Sequence, residues 1–228
     1  MSNTKGDYIS SYISKLFRSK FGRGPLSCRT TICNKHVVTY ISGFITPMEE
    51  ILLEQGQQDF VDKARNLIMS HLLDEIKGVI QVSLDIEVED QYQDWNFPNN
   101  TGILIFSFVS DGSKDESFNS EIDIKRLEDE IARISFLVQK VPDIIITHPI
   151  SPTIYLVERI GILVQIEKAL ISRGFQQELL FTKDELEKKY FHRDGRFDVI
   201  FTKPVKDIFI DWNLKEDKSY MAFILSSK

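Results

Sequence analysis

A chain of 228 residues with 42% hydrophobic and 27% charged positions falls among ordinary globular proteins and outside the disordered and fibrous classes. Its apolar runs stop far short of the roughly 18–20 residues that cross a bilayer, and its first residues form no signal-type apolar run, so a cytosolic chain without a spanning segment is expected. The net charge of −6 is unevenly laid out: residues 1–46 carry seven Lys/Arg and one Asp, a net +6, which leaves −12 for the rest. A basic island of this kind suits an anion or an acidic partner, and equally a solvated helix face; the acidic balance and the lack of a recognised module argue against nucleic acid.

In chain order, Ile9, Tyr12, Ile13, Leu16, Phe17 and Phe21 recur at steps of three and four, predicting an amphipathic helix that Gly22-Arg23-Gly24-Pro25 stops. Cys28 to Cys33 and Val37 to Ser42 read as a hairpin across Asn34-Lys35. Thr46-Pro47-Met48-Glu49 has the spacing of a capping box, so a helix begins there. Gly56 divides it from a second helix, whose stripe is read as Phe60, Ala64, Leu67, Ile68, Leu72 and Ile76, with Gly78 as its C-terminal cap. Alternation from Val82 to Glu89 predicts a strand, and Ile103 to Val109 another. Asp111 to Ser120 has linker composition.

Beyond it the pattern restarts. Leu127, Ile131, Ile134 and Val138 form a helical stripe, Pro142 breaks it, and Ile144 to Thr147 and Ile154 to Val157 read as strands. Gly43 to Gly56 aligns with Gly161 to Gly174 at an offset of 118, sharing both glycines, Glu49 with Glu167, and Leu52 with Leu170. Further on the offset becomes 117, and Gly78, Val82, Val88, Asp90, Asp94, Trp95, Asn96, Phe106 and Ser110 face identical residues from Gly195 to Ser227. That is nine identities in 33 positions, where chance gives about two. The expected architecture is therefore α+β, a tandem duplicated unit: residues 1–110, a linker at 111–120, and a diverged second copy at 121–228. Each copy is expected to form an antiparallel sheet of about four strands with helices packed on one face.

Candidate sites each have a structural reading beside the functional one. Lys20, Arg23 and Arg29 around the glycine turn offer charge to an anion or partner, although a helix stop explains the turn itself. Thr46 and Glu49 sit at a predicted helix N-terminus, where an anion is favoured and where Glu49 itself fills that role; Thr182 to Glu185 repeats the capping pattern. Asp85, Glu87 and Glu89 line one face of the predicted strand, and His192-Arg193-Asp194-Gly195-Arg196 reads as a turn. Trp95 and Trp212, both in Asp-Trp-Asn triplets, are candidates for partner docking, with core packing the favoured reading. Cys28 and Cys33, five apart on one strand, point to opposite faces, and the four histidines lack metal-ligand spacing, so no disulfide, metal or cofactor is expected. No catalytic residue set is legible.

Leu16-Phe17, Phe21-Gly22-Arg23-Gly24-Pro25 and Gly43-Phe44-Ile45-Thr46-Pro47-Met48-Glu49-Glu50-Ile51-Leu52 together resemble the MpsC domain, over about residues 6–110. That bacterial family is named for a sodium-translocating, membrane-potential-generating system whose other members are membrane proteins linked to inorganic-carbon uptake. The second half departs from the pattern: Val164-Gln165-Ile166-Glu167 replaces the capping box, and only Pro142 remains of the glycine turn. What the resemblance implies is a soluble, non-enzymatic accessory or regulatory protein of a bacterial membrane transport system, with membrane transport subunits as partners. A small-anion (bicarbonate-like) sensor and an enzyme with its site between the repeats are the alternatives, and homodimerisation is left open.

Overall fold

The computed structural model describes residues 2–109 and 122–226, and the chain divides into two compact units, Met1–Glu116 and Ser117–Lys228. The predicted linker, and the aligned pair Ser110 and Ser227, lie outside the described residues.

The first unit runs α1 (Ser2–Phe21), β1 (Ser27–Cys33), β2 (His36–Ser42), α2 (Pro47–Glu54), α3 (Gln58–Leu84), β3 (Val88–Asn96) and β4 (Thr101–Phe108). The second runs α4 (Ile124–Val138), β5 (Ile144–Ser151), β6 (Ile154–Ile160), α5 (Gln165–Ser172), α6 (Gln176–Asp194), α7 (Phe197–Phe201), β7 (Val205–Asn213) and β8 (Lys218–Leu225). Each forms a four-stranded antiparallel sheet, ordered β1-β2-β4-β3 in the first and β5-β6-β8-β7 in the second. The α+β class and the antiparallel sheets with helices are as expected from the sequence.

Local chemistry explains the turns. Asn34 takes a left-handed φ of 50° between β1 and β2, a conformation that suits Asn in a two-residue hairpin. Pro149 lies in β5, an edge strand, where its missing N–H costs no ladder bond, and the register shifts between it and Ser151. Gly43 and Gly161 both require positive φ, 67° and 69°, where the chain leaves β2 and β6. Gly102 lies opposite Trp95 on the neighbouring strand, and a Cβ there would stand 2.3 Å from the indole; the ring occupies the space that a side chain would take.

One core per unit fills the space between sheet and helices. In the first, Ile9, Ile13 and Phe17 of α1 and Met69, Ile76 and Ile80 of α3 meet Val37, Ile41, Leu104 and Phe106 of the sheet. In the second, Leu127, Ile131 and Ile134 of α4 and Phe191 of α6 meet Tyr155, Val157, Ile210 and Phe223.

Several expectations need correction. The second helix does not end at Gly78: α3 continues to Leu84 and stops at Asp85, whose φ is 59°. Val82 to Leu84 are thus helical, and β3 begins only at Val88. Asp85, Glu87 and Glu89 accordingly do not share a strand face, and among the described residues no three His, Cys, Asp or Glu side chains stand as a metal-binding group. Thr182 caps nothing, since it lies inside α6 and donates to the Glu178 carbonyl. His192 to Asp194 are helical too, and the chain turns only at Gly195 and Arg196. Gly78 and Gly195 align, yet the helix passes through the first and breaks at the second.

Of the predicted α3 stripe, Leu72 and Ile76 are buried as expected, but its first half faces outward. Phe60 and Leu67 are 61% and 69% exposed, whereas Val61, Arg65, Met69, Leu72, Leu73, Ile76 and Ile80 form the buried face. Arg65 interrupts the apolar pattern of that face. Without knowing its partner, the stripe one residue out of phase looks the more apolar.

Candidate functional site

The residues with most chemistry in the first unit gather where α2 begins. Thr46 has extended backbone and accepts at its Oγ1 from the Glu49 amide at 3.3 Å, while Glu49 Oε2 accepts from the Thr46 amide and hydroxyl at 2.8 and 2.9 Å. This is the capping box expected from Thr-Pro-Met-Glu. Arg65, one side of which faces the same carboxylate from α3, donates to it through Nε (3.1 Å) and Nη2 (2.6 and 2.8 Å). Glu49 therefore accepts five hydrogen bonds from within its own unit, and the end of α2 has its anion built in.

The Arg65 side chain is fully buried, and its guanidinium carbon lies 4.4, 4.3 and 4.9 Å from the ring centres of Phe21, Phe44 and Trp95. The planar, weakly hydrated guanidinium suits this site, because it can donate to a carboxylate in its plane while aromatic rings lie close around it. Burial pulls the Arg65 guanidinium below its ordinary value, and the Glu49 charge and hydrogen bonds oppose that pull. Asn100, in left-handed conformation after β3, closes the cluster from behind by accepting from the Phe44 and Ile45 amides at 2.8 and 3.0 Å. Asn100→Ala removes an acceptor that two part-buried amides share and loses the tolerance of left-handed φ that Asn has over Ala. A loss of about 1–3 kcal/mol is expected, measured as a lower midpoint in urea unfolding followed by Trp95.

The second unit has the same frame with other occupants. Asp217 stands for Asn100 and accepts from the Leu163 amide at 2.7 Å. Glu167 stands for Glu49 and still accepts from the amide at the start of α5, at 2.9 Å, but Val164 has no side-chain oxygen, and the Glu167 amide donates to the Val164 carbonyl at 3.1 Å instead. Lys183 replaces Arg65, 3.0 Å from Glu167. Where α3 has Met69, α6 has Glu187, which binds Lys183 at 3.1 Å and Arg159 at 2.8 Å and accepts from Trp212 Nε1 at 3.1 Å. Gln139 joins Lys183, Glu167 and the Ile162 carbonyl. Burial pushes the Glu187 carboxyl up, and Arg159 and Lys183 together more than reverse this, so that it ends below the usual carboxylate range. Beside Arg159 and Glu187, Ser135, Gln139 and Pro142 line a cavity of about 10 Å³, room for one water and not for a metabolite.

Of the residues singled out from sequence, the structure thus brings together Thr46, Glu49 and Trp95. Lys20 ends α1 exposed, Arg29 is exposed on β1, and exposed Arg23 makes one long contact, 3.5 Å, with the Ile45 carbonyl. Trp95 and Trp212 are 4% and 8% exposed, so neither indole has a free face to offer a partner; both are core side chains. Arg65, Asn100, Arg159, Lys183 and Glu187 were not reached from sequence. The one available signal was the matched spacing of 16 residues from Glu49 to Arg65 and from Glu167 to Lys183.

Residues 4–110 match the family described as Na+-translocating membrane potential-generating system (MpsC). The first unit is similar to the MpsC family along nearly its whole length. The match spans that unit from α1 to β4 and so contains the whole Thr46–Glu49–Arg65 cluster, the glycine turn and Trp95. No curated protein and no solved structure matches the chain. Among the described residues, no helix is long and apolar enough to cross a membrane.

Proposed function

We propose that this chain is a non-enzymatic accessory or regulatory subunit of a Na+-translocating, membrane-potential-generating transport system, working in the cytoplasm at the membrane surface. The observation that carries the reading is the MpsC match over residues 4–110, whose description names such a system. Two features support the non-enzymatic part. The buried polar groups of the first unit serve its own cap and core, and the charged network of the second unit borders space for a single water. We further infer that the second unit is a diverged copy of the first. Gly43, Gly56, Asp85 and Asn100 share positive φ with Gly161, Gly174, Thr202 and Asp217 at the same offsets of 118 and 117. The exposed cations Lys20, Arg23 and Arg29 remain the candidate contact surface for an acidic partner segment.

The test is recovery of the tagged chain, at native expression level, from gently solubilised membranes. Integral membrane proteins of an ion-transport system are expected to co-purify, and in smaller amount with Arg23→Glu and Arg29→Glu together. Repeated recovery of the chain without any integral membrane protein would overturn the proposal.

A further inference from the structure

The outward side of α3 carries an apolar stripe that the core does not use. At 3.6 residues per turn, Phe60, Leu67, His71 and Gly78 fall within about 40° of arc, on the side away from Arg65, Met69 and Ile76. Phe60 and Leu67 are exposed, as is His71, and Ile68 on the flank is 38% exposed. Apolar side chains in such a row on a helix surface mark a contact face.

The spacing within the stripe says what covers it. Positions 60, 67, 71 and 78 are separated by seven, four and seven residues and are therefore symmetric about position 69. Two copies of α3 laid antiparallel across a twofold axis at that level set each Phe60 over Gly78 of the other copy, where no side chain obstructs the ring, and each Leu67 over His71. A twofold axis of this kind brings the same edge of both helices together. Lys63 and Asp74 share one edge, nearly equidistant from position 69, so each lysine would face the other copy's aspartate. A lipid surface fits poorly, because membrane-binding helices flank their apolar face with Lys and Arg, whereas this stripe is flanked by Asp59, Asp74 and Glu75 with Lys63 and Lys77.

We infer that the protein forms an isologous dimer through antiparallel packing of the outward face of α3. The contact is independent of any membrane partner, so its test needs only the purified full chain, and its failure leaves the membrane assignment untouched. Sedimentation equilibrium over a concentration series is expected to show a monomer–dimer equilibrium. Leu67→Lys, an exposed substitution whose folding circular dichroism verifies, is expected to leave monomer at concentrations where the native chain is dimeric. Lys63→Glu weakens the dimer by setting like charges together, and Lys63→Glu with Asp74→Lys restores it by reversing both partners. A native chain that stays monomeric throughout the series overturns the inference. So does a dimer indifferent to Leu67→Lys, or a double charge reversal that associates no better than Lys63→Glu alone.

Discussion

Arg65→Met lowers the stability of the first unit by about 3–5 kcal/mol, because it leaves the Glu49 carboxylate in a buried site with its cation gone. The methionine fills much of the same volume, so the cost is electrostatic more than steric. Three rings that packed on the guanidinium, those of Phe21, Phe44 and Trp95, lose their cationic partner as well. Adding Glu49→Leu to Arg65→Met recovers part of the loss, since an apolar pair no longer needs desolvated charges. Recovery is incomplete, because Glu49 also completes the cap of α2, which is worth about 1 kcal/mol. The measurement is urea unfolding in a Trp212→Phe background, where Trp95 alone reports and does so for the first unit. A cost of about 1 kcal/mol or less for Arg65→Met would mean that the pair is solvated in solution.

Glu187→Gln has an effect of similar size on the second unit, about 3–5 kcal/mol at neutral pH, since Arg159 and Lys183 both lose the carboxylate that balances them. Its pH dependence separates this from a packing defect. Because the folded Glu187 carboxyl lies below its ordinary value, it contributes stability that is fully present above the unfolded value of about 4.3 and is lost as pH falls through the lower folded value. Asp217, held down by Lys168 and the Leu163 amide against its own partial burial, acts in the same direction. With Trp95→Phe leaving Trp212 as reporter, Glu187→Gln is expected to lower neutral-pH stability and to flatten its decline below about pH 4, because one carboxyl that must protonate has been removed. An unchanged acid limb would show that another carboxylate governs it.

The candidate site was legible only where its chemistry is local. Thr46 and Glu49 are three residues apart, and a capping box is a three-residue device, so the bonds between them could be read before any fold was known. Arg65 is 16 residues further along and Asn100 more than fifty from the amides it serves, so their contribution rests on how α3 and the β3–β4 turn lie against α2. In the second unit the same limit hid Glu187, whose partners Arg159 and Trp212 come from β6 and β7. The misplaced end of α3 has a similar origin. Gly78 is a common helix stop, but here its backbone is held within a helix whose far side packs on the sheet through Ile76 and Ile80, and burial outweighs the weak preference of one glycine.

Read along the chain alone, the residues determined the α+β class, the hairpin at Asn34-Lys35, the start of α2 and the recurrence at offsets of 118 and 117, because turns, caps and repeats act over a few residues or show as identities. Which side of α3 turns inward, and therefore that Arg65 is buried while Phe60 and Leu67 face solvent, was decided only by tertiary structure. The physical reason is that a guanidinium is costly to bury unless a carboxylate and aromatic faces from other elements meet it, and a helical period cannot say whether they will.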